Sequence, residues 1–520
     1  MRRRAESLRP VLSGSALGGS PFGDAPAKGR LRNLAFAFAA VALAVAGVAL
    51  FRTARLSSTT PAEPRVERAV DAAAVAEHLA GAIRFETVAV RGGAGDRAAF
   101  RGLLEYLRNT YPLVHERLRC EEVGENALLC EWRGADESRA PVVLMAHLDV
   151  VPVLPRSEPR WTHPPWSGAI DGGFVYGRGA LDDKSAVVGI LEAAEQLLRA
   201  GHRPARTIYL AFGADEELGG ARGAMEIVRS LRSRGVAEPA LVLDEGGALV
   251  ERMLPGVEGP AAVVGIAEKG YLSLELSVRG PGGHSSTPVV PTQIGRLSRA
   301  LARLEAKQFP ARLDGATLEM LRAVAPVAPY GNRIALANLW LFGPLVTRRL
   351  LADPRTATLV RTTTAPTMFD SGATENVLPE EARAVVNFQV LPGGSIQQVV
   401  ERARSVIADP EVTVRLVSGG LESEPSPVSD VSSPAFAAIA KSIRQTARGR
   451  APVVVPFLTG PTDARHWSTG GSRNVFRFTP FPYEQDWMSR VHGTDERISV
   501  EGLADGVRFY VQLILNAERI

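Results

Sequence analysis

Three short apolar runs, each ending in imidazole or carboxylate side chains, constrain the fold more than any other feature of the chain. Val142-Val143-Leu144-Met145-Ala146 ends in His147-Leu148-Asp149, and Thr207-Ile208-Tyr209-Leu210-Ala211-Phe212 ends at Asp215-Glu216-Glu217. Ala240-Leu241-Val242-Leu243 ends in Asp244-Glu245-Gly246-Gly247. Apolar runs this short read as strands of an α/β sheet whose tips converge on one crevice, and ligands gather at such tips. Between the first two runs lies Gly177-Arg178-Gly179-Ala180-Leu181-Asp182-Asp183-Lys184. A helical stripe over Asp183 to Ala200 follows it, with Gly201 as its stop.

The chain has 520 residues, 45% of them hydrophobic, enough for two or more cored domains. Its formal charge of +4 does not point to nucleic acid. Residues 1–33 hold six arginines and Lys28 against Glu6 and Asp24, a net +5, which leaves −1 for all the rest. Leu34 to Phe51 is unbroken by charge and would make a helix of roughly 27 Å, close to a bilayer core. A basic lead followed by an apolar stretch fits an uncleaved anchor or a cleaved signal. The length of the run and the arginines Arg52 and Arg55 favour the anchor, with the body extracytoplasmic. Cys120 and Cys130 flank a hairpin turn at Val123 to Asn126, so a disulfide and a pair of free thiols both remain open.

These patterns divide the chain into a basic segment 1–33, an anchor 34–51, a linker 52–69, a first α/β part 70–268, an insertion 269–418 and a second α/β part 419–520. The change at Lys269 is one of period. Tyr271 to Val278 alternates every second residue, as a half-exposed strand does. A helix over Gln293 to Ala306, strands Ala365 to Phe369 and Ala382 to Val390, a helix Ile396 to Ile407 and a strand Val412 to Val417 complete an α+β insertion into the α/β domain. Residues 308–360 resist assignment. Leu339, Trp340, Leu341, Phe342 and Leu345 there suit either a core or an apolar ligand pocket.

The motifs His147-Leu148-Asp149, Gly-Arg-Gly-Ala-x-Asp-Asp-Lys, Asp215-Glu216-Glu217, Asp244, Gly282-Gly283-His284-Ser285, Asn376-Val377-Leu378-Pro379, Gly460 to Arg465 and His492-Gly493 occur in the order of one family. From about residue 70 onward the chain resembles the zinc metallohydrolases that include aminoacylase, carboxypeptidase S, glutamate carboxypeptidase and succinyl-diaminopimelate desuccinylase. The carboxypeptidase S and N-acyl-amino-acid hydrolase branch is the most similar. The resemblance implies a split dinuclear-zinc catalytic domain with an inserted lid of the dimerisation type. It implies that His147 and Asp244 bind one zinc, that Glu217 and His492 bind the other, and that Asp182 bridges them; Co or Mn are alternatives. A mixed N/O donor set suits zinc, and a shared anion offsets the repulsion of two cations about 3.5 to 4 Å apart. Adjacent Asp183 is the rival bridge or a helix cap. Asp149 matches the carboxylate that orients the ligand histidine, and Glu216 the general base. His284 matches an oxyanion donor from the lid of the same or a partner chain. Arg465 and Asn376 match the clamp on a substrate carboxylate. Gln389 stands where relatives commonly have Arg. His163 and His466 are lesser candidates.

The implied activity is hydrolysis of the amide bond of N-acyl amino acids or of the C-terminal residue of small peptides. The alternatives are an inactive metal-binding or receptor-like module of the same fold and an aminopeptidase. A homodimer is compatible with the lid.

Overall fold

The computed structural model describes residues 25–56, 63–90, 95–251, 254, 257–417, 422–484 and 486–520, with side chains from Arg32 onward. The basic residues 1–24 and part of the linker lie outside them. The described residues fall into two compact units, one ending at Arg55 and one beginning at Leu56. The first is a single helix, Ala25–Ala54, within which Arg32–Ala54 is long and apolar enough to cross a membrane. Its Leu34 and Phe38 are exposed.

The second unit supplies its own apolar interior: every residue of its three core clusters lies at or beyond Val70. The largest cluster surrounds a nine-stranded mixed sheet. Its order is Arg119–Val123, Ala127–Trp132, Ile208–Gly213, Val142–His147, Leu241–Asp244, Val475–Arg477, Pro260–Glu268 and Val453–Thr459, with Ala248–Glu251 beside Pro260–Glu268. Val142–His147 runs parallel to both Ile208–Gly213 and Leu241–Asp244, which in turn lies parallel to Val475–Arg477. These four strands therefore deliver their C-terminal ends to one edge. Every residue of Val142–His147 and Ile208–Gly213 is buried, as strands covered by helices on both faces must be. Helices Lys184–Arg199, Pro434–Thr446 and Val500–Ala517 pack against one another and this sheet.

Hairpin strands Arg119–Val123 and Ala127–Trp132 place Cys120 opposite Cys130, and the two form a disulfide. The insertion is a four-stranded antiparallel sheet in the order Thr363–Ser371, Glu381–Val390, Gly270–Arg279 and Thr413–Leu416. Its alternating burial leaves one face to helices Gln293–Ala306 and Ile396–Ile407. The unassigned stretch 308–360 is helical. Gly315–Val324 packs on Val453–Thr459, while Tyr330–Ala337 and Leu339–Leu351 meet at 115° and contain no buried residue. Leu339 leans on the third core cluster, but Trp340, Leu341 and Leu345 are exposed. Those three belong to neither a core nor an enclosed pocket in the structure.

Candidate metal centre

The converging strand ends carry the site. His147, the last residue of its strand, directs Nδ1 to the carbonyl of Asp149 at 2.9 Å. That leaves Nε2 facing outward, 3.0 Å from Asp182 Oδ1 and 3.4 Å from Glu245 Oε1. His492 Nε2 lies 2.9 Å from Asp182 Oδ2 and 3.1 Å from Glu217 Oε1. The two oxygens of Asp182 thus face two different histidines, the arrangement a bridging carboxylate needs.

Buried polar bonds brace this geometry. Asp149, fully buried, accepts from the backbone N–H groups of Glu216 at 3.1 Å and Glu217 at 3.2 Å, so it sets the acidic turn as well as the histidine. Sequence reasoning missed Glu496. Its Oε1 accepts from the N–H groups of Gly179, Leu181 and Asp182 at 3.1, 2.7 and 3.1 Å, and its Oε2 pairs with Arg178. Arg178 also donates to the carbonyl of Gly493 at 2.9 Å, which ties the Asp182 loop to the loop of His492. Gly179 makes the tight approach feasible: it has φ of +88°, and a Cβ there would come within 2.8 Å of Val150.

Asp244 Oδ2 accepts from the Ala464 N–H at 2.7 Å and lies 2.9 Å from the Thr462 hydroxyl, holding the turn that carries Arg465. Glu245, one residue further and outside the strand, brings Oε1 to 3.4 Å from His147 Nε2. Asp183 makes no helix-capping bond; both its oxygens are buried without a partner, close to His147 and Glu245.

The electrostatics are those of crowded acids. Burial and neighbouring Glu245 push Asp183 well above the usual carboxylate range, and burial with Asp182 pushes Glu245 up to about 8. Burial also raises Glu216 well above its ordinary value, opposed by His147 and Arg465. Burial alone would lower His147, but Glu245, Asp149 and Asp182 hold it well above normal. Hydrogen bonds to Asp182 and Glu217 raise His492 to about 10. Four acids, Asp182, Asp183, Glu217 and Glu245, thus share a small volume with two histidines, and protons now offset what cations would offset better. Orphaned Asp183 and the mixed imidazole and carboxylate donors fit divalent metal.

Arg465 Nη2 lies 3.4 Å from Glu216 Oε1. Thr462 and its turn are held by Glu268, itself paired with buried Arg477 at 2.7 Å. His284 and Asn376 sit elsewhere, exposed on a ribbon in which Gly283–His284 pairs with Val377–Leu378. His284 Nδ1 bonds Ser286 Oγ at 2.8 Å, and the Asn376 carbonyl accepts from Ser285 at 3.1 Å. Neither makes a hydrogen bond with the metal-site residues. Gln389 pairs across strands with Tyr271 and Thr363 in the small sheet. His163 bonds Asp171 at 3.2 Å, and His466, lowered to about 4 by burial, lies 3.1 Å from the Gly219 carbonyl; neither joins the cluster.

Residues 143–516 match the model of peptidase family M20/M25/M40. The chain belongs to that family. It is 38% identical over 446 residues to the N-fatty-acyl-amino acid synthase/hydrolase PM20D1 of Xenopus tropicalis, covering 85% of each chain. It is 30% identical over 459 residues to carboxypeptidase S of Saccharomyces cerevisiae, covering 80% of this chain and 78% of that one. Among solved structures, the M20 family metallo-carboxypeptidase Sso-CP2 of Sulfolobus solfataricus superposes with a TM-score of 0.62 at 18% identity, covering 86% of this chain and 99% of that one. The last likeness concerns the fold alone. Family membership makes this chain a hydrolase of the metal-dependent M20 class.

Proposed function

We propose that this chain hydrolyses the amide bond of N-acyl amino acids, or of the C-terminal residue of small peptides, at a dinuclear centre. His147 and Glu245 would hold one metal ion, Glu217 and His492 the other, and Asp182 would bridge them. The observation that carries this is the splay of Asp182, with one oxygen toward each histidine. Two zinc ions bound there, with cobalt or manganese as substitutes, would polarise the scissile carbonyl and acidify a water.

The chain's own residues do the rest. Glu216 takes the proton of the attacking water and returns it to the leaving amine nitrogen. Burial keeps its basicity above that of an ordinary carboxylate, which suits both transfers. Arg465, now paired with Glu216, exchanges that partner for the substrate's α-carboxylate, helped by Asn376. His284 supplies the oxyanion donor once the lid closes or a second copy of the chain presents it. The relatives' names, one an N-fatty-acyl-amino acid hydrolase and one a carboxypeptidase, support both substrate classes. The apolar helix Arg32–Ala54 supports a membrane-anchored enzyme with an extracytoplasmic body, or a secreted one after signal cleavage.

The test is release of free amino acid from N-acetyl, N-lauroyl and dipeptide substrates by the zinc-loaded body, beside a Glu216→Gln control. Release from one class alone selects the branch. Equal, background rates for body and control on all three would end the hydrolase reading.

A further inference from the structure

Helices Tyr330–Ala337 and Leu339–Leu351 present an apolar surface that no described residue of the body covers. Along the second helix, Leu339, Val346 and Leu350 lean on the third core cluster, one stripe at helical spacing. The opposite stripe, Trp340, Leu341, Pro344 and Leu345, is exposed: Trp340 to 53% and Leu345 to 60%. The Trp340 N–H is turned back to Asn338 Oδ1 at 3.2 Å, so what meets solvent is its hydrocarbon ring. Tyr330, 62% exposed, adds a second aromatic ring from the neighbouring helix. A helix apolar on both sides is ordinarily buried on both, and this one is not.

Charge narrows what can cover it. The helix pair, residues 330–351, contains Arg333, Arg348 and Arg349 and no acid, with Asp353 just beyond it, whereas residues 34–520 as a whole carry a net −1. Arg348 and Arg349 are exposed, and neither forms an ion pair among the described residues. Arg348 follows Trp340 and Pro344 on the same stripe. A second copy of this surface would bring arginines against arginines, whereas anionic lipid headgroups would complement them. Exposed Trp and Tyr rings ringed by arginine are the side chains that settle at the headgroup level of a bilayer. Neither helix alone is long enough to cross one, since the longer has thirteen residues and spans about 20 Å of a core about 30 Å thick, and the two are bent by 115° at Asn338.

We infer that the Tyr330–Leu351 helix pair docks the catalytic body onto the surface of an anionic lipid bilayer. The inference goes beyond the hydrolase reading and does not depend on it. The anchored reading only explains why a bilayer is always at hand. The surface adjoins Tyr483 and Trp487, which share its core cluster and lead directly into the loop of His492. A long acyl chain dissolved in the bilayer would therefore be presented near the metal centre.

The body beginning at Leu56 has its own core and can be tested without the apolar helix. Flotation with phosphatidylcholine vesicles containing about 30% phosphatidylglycerol is expected to carry it, with binding falling at least about tenfold in pure phosphatidylcholine or at high salt. Trp340→Ser with Leu345→Ser is expected to lower binding at least about tenfold. Arg348→Glu with Arg349→Glu should remove the preference for anionic lipid, while thermal unfolding and hydrolysis of a short-acyl substrate stay unchanged in both variants. Failure of the parent body to float overturns the inference. So does parent-like flotation of the Trp340/Leu345 variant, and so does a body that is dimeric, made monomeric by that variant and indifferent to vesicles. Because flotation requires no turnover, an inactive but floating body would sink the hydrolase reading alone.

Discussion

The proposed metal centre and the ribbon of His284 and Asn376 hold their side chains in opposite ways. Around Asp182, fully or largely buried groups cross-brace one another: Asp149 under Glu216 and Glu217, Glu496 under the Asp182 loop, Arg178 across to Gly493. On the ribbon, His284 and Asn376 are exposed, and the bonds of His284 to Ser286 and of the Asn376 carbonyl to Ser285 stay within the ribbon and its turn. The contrast separates chemistry that must be preorganised from groups that must arrive with the substrate. Metal ligands held apart from a cation repel one another and need a rigid frame. A group that stabilises only the transition state can be brought by a moving element.

Five experiments bear on that comparison. Glu216→Gln, in the braced region, is expected to lower kcat by roughly 10² to 10⁴ while metal content stays at its parent value. Lost metal would reassign Glu216 from base to ligand. His284→Ala should lower kcat by about 10² to 10³ with metal content and thermal midpoint unchanged. A shifted midpoint would mean the ribbon is structural after all.

Glu496→Ala should do the reverse of His284→Ala. Removing a buried carboxylate that serves three amides and an arginine should cost about 3 to 5 kcal/mol by denaturant unfolding. A loss near zero would show that the brace is dispensable. Metal uptake then distinguishes the two neighbouring acids. At pH 7 the metal-free centre holds His492 and Glu245 protonated, since they titrate at about 10 and about 8. Ligation requires their deprotonated forms, so zinc loading should release at least roughly two protons, measurable by calorimetry in buffers of different ionisation enthalpy. Glu245→Gln should release about one fewer and bind less metal, whereas Asp244→Asn should keep the stoichiometry and lose stability. The opposite pattern would restore Asp244 as the ligand.

The smallest effect concerns Arg465. Its charge lowers the pKa of Glu216, and a base acts in its deprotonated form, so activity rises with pH through that pKa. Arg465→Met should therefore move the acid limb of kcat/KM to higher pH by about one unit or less, besides raising KM. Arg465→Lys should keep the limb in place, and a limb that stays put in both variants would show that the pair with Glu216 has no electrostatic role.

Much of this was readable along the chain. Period-3.6 patterns placed the helices over Gln293–Ala306 and Ile396–Ile407 at the residues where the structure has them. Stretch 308–360 was not readable because its helices are apolar on more than one side, and periodicity needs a polar face to register against. Sequence order alone cannot tell which of the adjacent acids Asp244 and Glu245 comes within reach of His147 after the strand ends.

What the sequence determined by itself is local: which segments are strands or helices, and that three strand ends and three loops bear metal-binding residue types. It did so because alternation and residue chemistry are properties of neighbours in the chain. Only tertiary structure decided that Glu245 comes within reach of His147, that Glu496 supports the Asp182 loop across some three hundred residues, and that Trp340 looks outward. Each of those depends on which distant backbone amide, imidazole or core claims the side chain first.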